Sequence, residues 1–124
     1  MSANIFKQTS GASLNLTRVK TYGANLLGWQ IVNTNAAVRF VKLYWYLPGS
    51  VSAGTDGPTV GTTSPNITIA VPAAGVAAPP CTADFCPQGV SMKGDLWMAT
   101  TVNAADSDNT AVGAGDLITS LFIE

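Results

Sequence analysis

Apolar and small residues alternate one by one along Ile67-Thr68-Ile69-Ala70-Val71, and this period of two recurs through most apolar runs of the chain. A strand sends successive side chains to opposite faces, whereas a helix needs apolar residues three and four apart. The same period places Leu27, Trp29 and Ile31 on one face of a strand over Leu26 to Val32. In the last strand, Asp116 to Ile123, it sets Leu117, Leu121 and Ile123 against Ile118 and Phe122. Leu14 to Lys20 begins as a strand with one polar face, and Leu96 to Val102 is a shorter apolar run. The pattern predicts β-structure throughout.

The longest strand is expected from Ala37 to Leu47. Val38, Phe40, Tyr44 and Tyr46 lie on one face, and Val41, Leu43, Trp45 and Leu47 on the other. Arg39 and Lys42 are its polar exceptions, on opposite faces. A strand apolar on both sides belongs in the middle of a sandwich or beneath a partner chain. A charge turned inward needs a partner, and the six aspartates Asp56, Asp84, Asp95, Asp106, Asp108 and Asp116 are the candidates.

Breakers separate these runs. Pro48-Gly49-Ser50 ends the long strand, and a Gly- and Thr-rich stretch from Ser52 to Asn66 follows. Pro72-Ala73-Ala74-Gly75 ends the next strand. Val76 to Pro87 holds Pro79, Pro80, Cys81 and Cys86, and Ala105 to Gly115 is small, acidic and turn-like. Seven or eight short strands follow from this punctuation. They fit one domain over residues 1–124, with residues 1–12 as an extended N-terminal arm. The expected fold is an antiparallel β-sandwich, jelly-roll or immunoglobulin-like in outline, with long Gly/Pro/Thr-rich loops.

Composition narrows the function. Charged residues make up 10% of the chain, against about 25% in ordinary soluble domains. Such a surface suits a subunit packed against neighbours, and equally a β-protein with a Thr- and Ser-rich exterior. The net charge of −1 offers no basic field for nucleic acid or anionic lipid. No apolar run approaches the roughly 20 residues of a membrane helix, and the first eight residues lack the apolar core of a signal peptide. A soluble protein made in the cytosol is expected.

Catalytic chemistry finds little to use. The chain has no histidine, which removes the commonest general base and metal ligand. Cys81 and Cys86 are too few for a four-ligand zinc site; a small-loop disulfide or two free thiols remain open. Counting a calcium loop from Asp106 puts Ala111 and Leu117 where an EF-hand needs Gly and Glu, so a hydrogen-bonded turn is the simpler reading. Gly113-Ala114-Gly115 lacks the Lys-Ser/Thr pair of a phosphate loop. Neither cofactor, metal nor catalytic group is expected, and the chain is read as a non-enzyme.

Leu27-Gly28-Trp29-Gln30-Ile31-Val32-Asn33 and Val38-Arg39-Phe40-Val41-Lys42-Leu43-Tyr44 resemble small structural proteins of tailed bacteriophages and prophages. The resemblance continues through Gly54-Thr55-Asp56-Gly57-Pro58, through Ile67 to Gly75, and through Ala104 to Asp116. The Cys81 to Cys86 loop stands outside it. The resemblance implies a virion component: a capsid decoration or cement protein, made in the host cytoplasm and placed on the capsid surface. It further implies a homo-oligomer, a trimer, clamping the major capsid protein or another virion protein. The expected interface is Arg39, Phe40, Lys42, Tyr44, Trp45 and Tyr46. The alternative is a tail or fibre module, or a carbohydrate-binding receptor head using Trp29, Trp45, Trp97 and the acidic loop.

Overall fold

Each alternating run becomes a strand in the computed structural model, which describes residues 4–47, 57–74 and 81–124. The strands are β1 (Asn4–Thr9), β2 (Thr17–Lys20), β3 (Asn25–Asn33), β4 (Arg39–Tyr46), β5 (Ile67–Val71), β6 (Cys81–Asp84), β7 (Val90–Ser91), β8 (Asp95–Thr101) and β9 (Leu117–Ile123). There is no helix among the described residues. The Pro48-Gly49-Ser50 breaker, Asp56 and the Pro79-Pro80 pair lie outside them.

The pairing is nested. β1 pairs with β9, β2 with β8, β3 with β6, and β4 with β5, all antiparallel. A chain paired this way is one long hairpin. Rolling it up brings β9 beside β3 and β8 beside β4. Two four-stranded sheets result, β1-β9-β3-β6 and β2-β8-β4-β5, with the short β7 added at the start of β3. This is the jelly-roll order. In an immunoglobulin sandwich the first strand pairs with the second; here it pairs with the last.

The two sheets bury their inner faces against each other. Leu26, Trp29, Ile31, Leu117, Leu121 and Ile123 from the first sheet meet Val41, Leu43, Trp45, Ile69, Leu96 and Met98 from the second. Each large side chain so buried contributes about 1.5–3 kcal/mol relative to exposure. That contact is what holds the sandwich shut.

Three strands depart from the expected pattern. Over Asn4–Thr9 the predicted arm is an edge strand, paired along its whole length with β9. Phe6 turns inward onto the core, and the Gln8 side-chain amide donates to Thr17 Oγ1 at 2.8 Å, tying β1 to β2. Within the cysteine loop, Cys81–Asp84 forms β6 along β3, and Val90–Ser91 pairs with Asn25 and Leu26. None of these carries enough alternating apolar residues to stand out as a strand.

Candidate functional site

The expected interface on β4 is occupied by the chain itself. Val41, Leu43 and Trp45 point between the sheets. On the outer face, Tyr44 packs under Val60, with Leu14, Ala99 and Trp97 around it. Lys42 is fully buried. Its ammonium donates to the backbone oxygens of Ala105 at 2.6 Å and Asp108 at 3.3 Å. A buried ammonium can be satisfied by carbonyl dipoles as well as by a carboxylate, and here it finds carbonyls rather than an aspartate side chain. Burial pushes the Lys42 pKa down, while the Asp108 and Asp106 charges pull it back.

Arg39 reaches a carboxylate. Its Nε donates to Asp116 Oδ2 at 3.2 Å, and both side chains are largely buried. The Gly113 N–H also donates to Asp116, and Asn35 donates to its other oxygen. The Gly113 bond, helped by Asn35 and Arg39, holds Asp116 below the usual carboxylate range despite an opposing cost of burial. Of the six residues assigned to an interface, Lys42, Tyr44 and Trp45 are therefore buried in their own chain, and Arg39 is paired in it. Phe40 and Tyr46 are half-buried.

The cover over β4 comes from two loops. Residues 57–66 supply Val60, and residues 102–112 supply the carbonyls that hold Lys42. The Asp108 carboxylate staples the second loop by accepting from the Asn103 N–H and side chain and from the Thr110 hydroxyl. Partial burial acts against the Asp108 charge, but these bonds outweigh it and lower its pKa. The acidic segment is thus a self-capped turn, and no group of three metal-ligating side chains occurs among the described residues.

The tryptophans considered for sugar stacking each pack within the chain, and Trp29 also lines a groove on the outer face of the first sheet. Trp29 stands edge-to-face on Phe85, with ring centres 5.3 Å apart. Trp45 Nε1 points to the Ala24 carbonyl. Trp97 lies beneath the Arg18 guanidinium and against Gly57.

Among the described residues, nothing gives the outer face of the first sheet such a cover. Its strands β1, β9, β3 and β6 present Ile5, Phe122, Leu27, Gln30, Thr82 and Asp84 around a groove of about 510 Å³, with Cys86 at its rim. Ile5 is 67% exposed and Val32, further along β3, is 37% exposed. Gly28 explains the hollow. It sits cross-strand from Phe122 and from Asp84 and contributes no side chain between them. A Cβ at this position would meet the Ala83 carbonyl oxygen of β6. A register shift between Leu26 and Gly28 keeps Leu26 in the core while Leu27 joins the groove.

No protein-family model, curated protein or solved structure matches the chain. The groove must therefore be judged on its own chemistry. Asp84 Oδ1 accepts from the Cys86 N–H at 2.9 Å. A side-chain hydrogen bond of the thiol to the same carboxylate, with some burial and the negative charge of Asp84 and Glu124, raises the Cys86 thiol pKa. A thiol held protonated is a poor nucleophile. Cys81, a free thiol like Cys86, packs against the core. What remains is an apolar surface with a few hydrogen-bonding side chains, suited to binding by burial.

This face was only half legible in the sequence. Ile118 and Phe122 stand opposite the core residues of the last strand, which marks a second apolar face. Its continuation through Ile5 depends on β1 being a strand.

Proposed function

We propose that the protein is a non-enzymatic structural component of a bacteriophage particle, a capsid decoration or cement protein that binds the shell through the outer face of its first sheet. The observation that carries this reading is the contrast in cover: the outer face of β4 is sealed by the chain's own loops, while among the described residues nothing covers Ile5, Val32 and Phe122 on the outer face of the first sheet. Large exposed apolar patches on soluble domains mark contact surfaces. Jelly rolls recur among viral capsid proteins, in keeping with the sequence resemblance to phage structural proteins. The trimer is what the resemblance implies; the interface expected on β4 rests on its two apolar faces. With that face covered, shell contact is assigned to the first sheet instead.

The test is antibody-labelled electron microscopy of particles released from cells that carry the gene. Label on the heads is expected, and it should be lost with Ile5→Arg, an exposed change that leaves the fold intact. Label on tails would move the protein to a tail or fibre module. Absence from particles, with the protein left in the soluble fraction, would overturn the reading.

A further inference from the structure

We infer that two copies of this chain pair face to face through the outer surfaces of their β1-β9-β3-β6 sheets, about a two-fold axis parallel to the strands. The inference takes this face as a contact surface, as above, but does not depend on a virion; pairing and shell contact compete for the face, and the pair is the state of the free chain.

Charge placement supplies the first argument. Among the four strands of this sheet, Lys7 and Asp84 are the charged residues. They sit on opposite edge strands, β1 and β6, separated by three strand spacings or roughly 14 Å. Within one chain they are too far apart to pair, and the strands between them carry no charge. A two-fold axis parallel to the strands exchanges the edges, so β1 of one copy lies over β6 of the other. Lys7 of each copy then comes over the strand that holds Asp84 of the other. The two residues are one row apart along the strands, within reach of the flexible lysine stem. Two opposite-charge pairs form by symmetry, at the rim and around an apolar centre.

Shape supplies the second. Ile5 and Phe122 are cross-strand neighbours and form one wall of the groove. Gly28 opens its floor on the next strand, in the same row. The same axis lays β9 of one copy over β3 of the other, so Phe122 of each copy faces the hollow at Gly28 of the second copy, with Ile5 beside Asp84 at the rim. Aligned packing of two sheets, with side chains interdigitating across about 10 Å, is a standard sheet-on-sheet arrangement. An axis perpendicular to the strands would instead stack β1 on β1, placing like charge near like charge and wall on wall. The footprint of four short strands is small, so the pair belongs to the weak, transient class of interfaces.

Sedimentation of the full chain from low micromolar to millimolar concentration tests the pair. A monomer–dimer equilibrium is expected. Ile5→Arg should abolish it without lowering the melting temperature. Lys7→Glu and Asp84→Lys should each weaken self-association by about tenfold, because each sets two like charges face to face. Mixing the two variants is the sharper measurement. In the mixed pair the introduced carboxylate on β1 meets the introduced ammonium on β6, and the retained Asp84 meets the retained Lys7. A heterodimer should therefore form at least as tightly as the original pair. That recovery also shows that neither variant has lost its fold. A chain that stays monomeric to millimolar concentration overturns the inference. So does a dimer indifferent to Ile5→Arg, or a mixture no tighter than its components. A monomer that still labels phage heads would sink the pair and leave the proposed function standing, and a dimer absent from particles would do the reverse.

Discussion

The outer faces of the two sheets are built from similar strands and meet opposite fates. On the second sheet, Tyr44 and Trp97 are cross-strand neighbours, as are Lys42 and Ala99, and loops fold back over them. On the first sheet, Phe122 and Gly28 are neighbours, as are Val32 and Ile118, and nothing in the described chain covers them. A large apolar side chain on a sheet therefore does not by itself announce a partner. What matters is whether the connecting loops are long enough and suitably held to act as the partner.

Substitutions that place the same charge on each side of this contrast test it most strongly. Val60→Asp puts a carboxylate where the loop plugs the β4 face and should cost about 3 kcal/mol, through loss of apolar packing and burial of an unpaired charge. Denaturant unfolding measures it. A loss under about 1 kcal/mol would mean that the 57–66 loop lifts away easily and that the covered face is not really closed.

Gly28→Ala probes the floor of the open face. The added methyl meets the β6 backbone, which cannot rotate aside as a side chain could. The expected cost is about 2 kcal/mol, with amide-exchange protection lost along β6 and retained along β4. Protection lost equally in both sheets would place Gly28 in the common core instead.

Acid should act at the end of the sandwich that Arg39 and Asp116 tie together. The folded pKa of Asp116 lies below its unfolded value. Its contribution is therefore present above the unfolded carboxylate range, near pH 4, and is lost as pH falls through the folded value. Asp116→Asn should remove about 1–2 kcal/mol at neutral pH and flatten the acid limb of the stability profile. Thermal melts from pH 7 to pH 2 would reveal an unchanged limb if Asp108 alone were responsible.

Tyr44→Phe bears on the cover from the other direction. The Tyr44 hydroxyl is buried with no hydrogen-bond partner among the described residues, and burial, with the nearby Asp106 charge, raises its pKa. Removing it should leave stability unchanged or raise it by up to about 1 kcal/mol. It should also remove the loss that sets in as pH rises past the unfolded tyrosine value of about 10. A destabilised Tyr44→Phe would reveal a hydroxyl bond that the static structure lacks.

Most of the sandwich was legible because its strongest signal is local. Ile67–Val71 is a strand at the boundaries its alternation predicts, and β3, β4, β8 and β9 fall within a residue or two of theirs. The missing strands lack that signal: β1 offers Phe6 and Ile5 among polar residues, and β6 offers small residues beside prolines. Their pairing is set by distant strands rather than by their own composition. The cover over β4 was hidden from the sequence for a related reason. Alternation reports that both faces of a strand are apolar, but not what covers each one. Only the fold brings Val60 onto Tyr44 and the Ala105 carbonyl onto Lys42, across many residues of chain. The Gly28 hollow depends likewise on β6 passing close by.

The smallest expected effect is also the most discriminating, because it asks whether the open face is open in solution. Val32 is 37% exposed and stands cross-strand from half-buried Ile118. A carboxylate there can stay hydrated and displaces only partial apolar contact. Val32→Asp should therefore change the unfolding free energy by no more than about 0.5 kcal/mol, the usual range for surface changes. Val60→Asp adds the same group to the other sheet at several times that cost. Measured side by side at a concentration where the chain is monomeric, the two losses should differ by more than about 2 kcal/mol. If they are comparable, some part of the chain folds over the first sheet as the loops do over the second, and neither face is free to receive a partner.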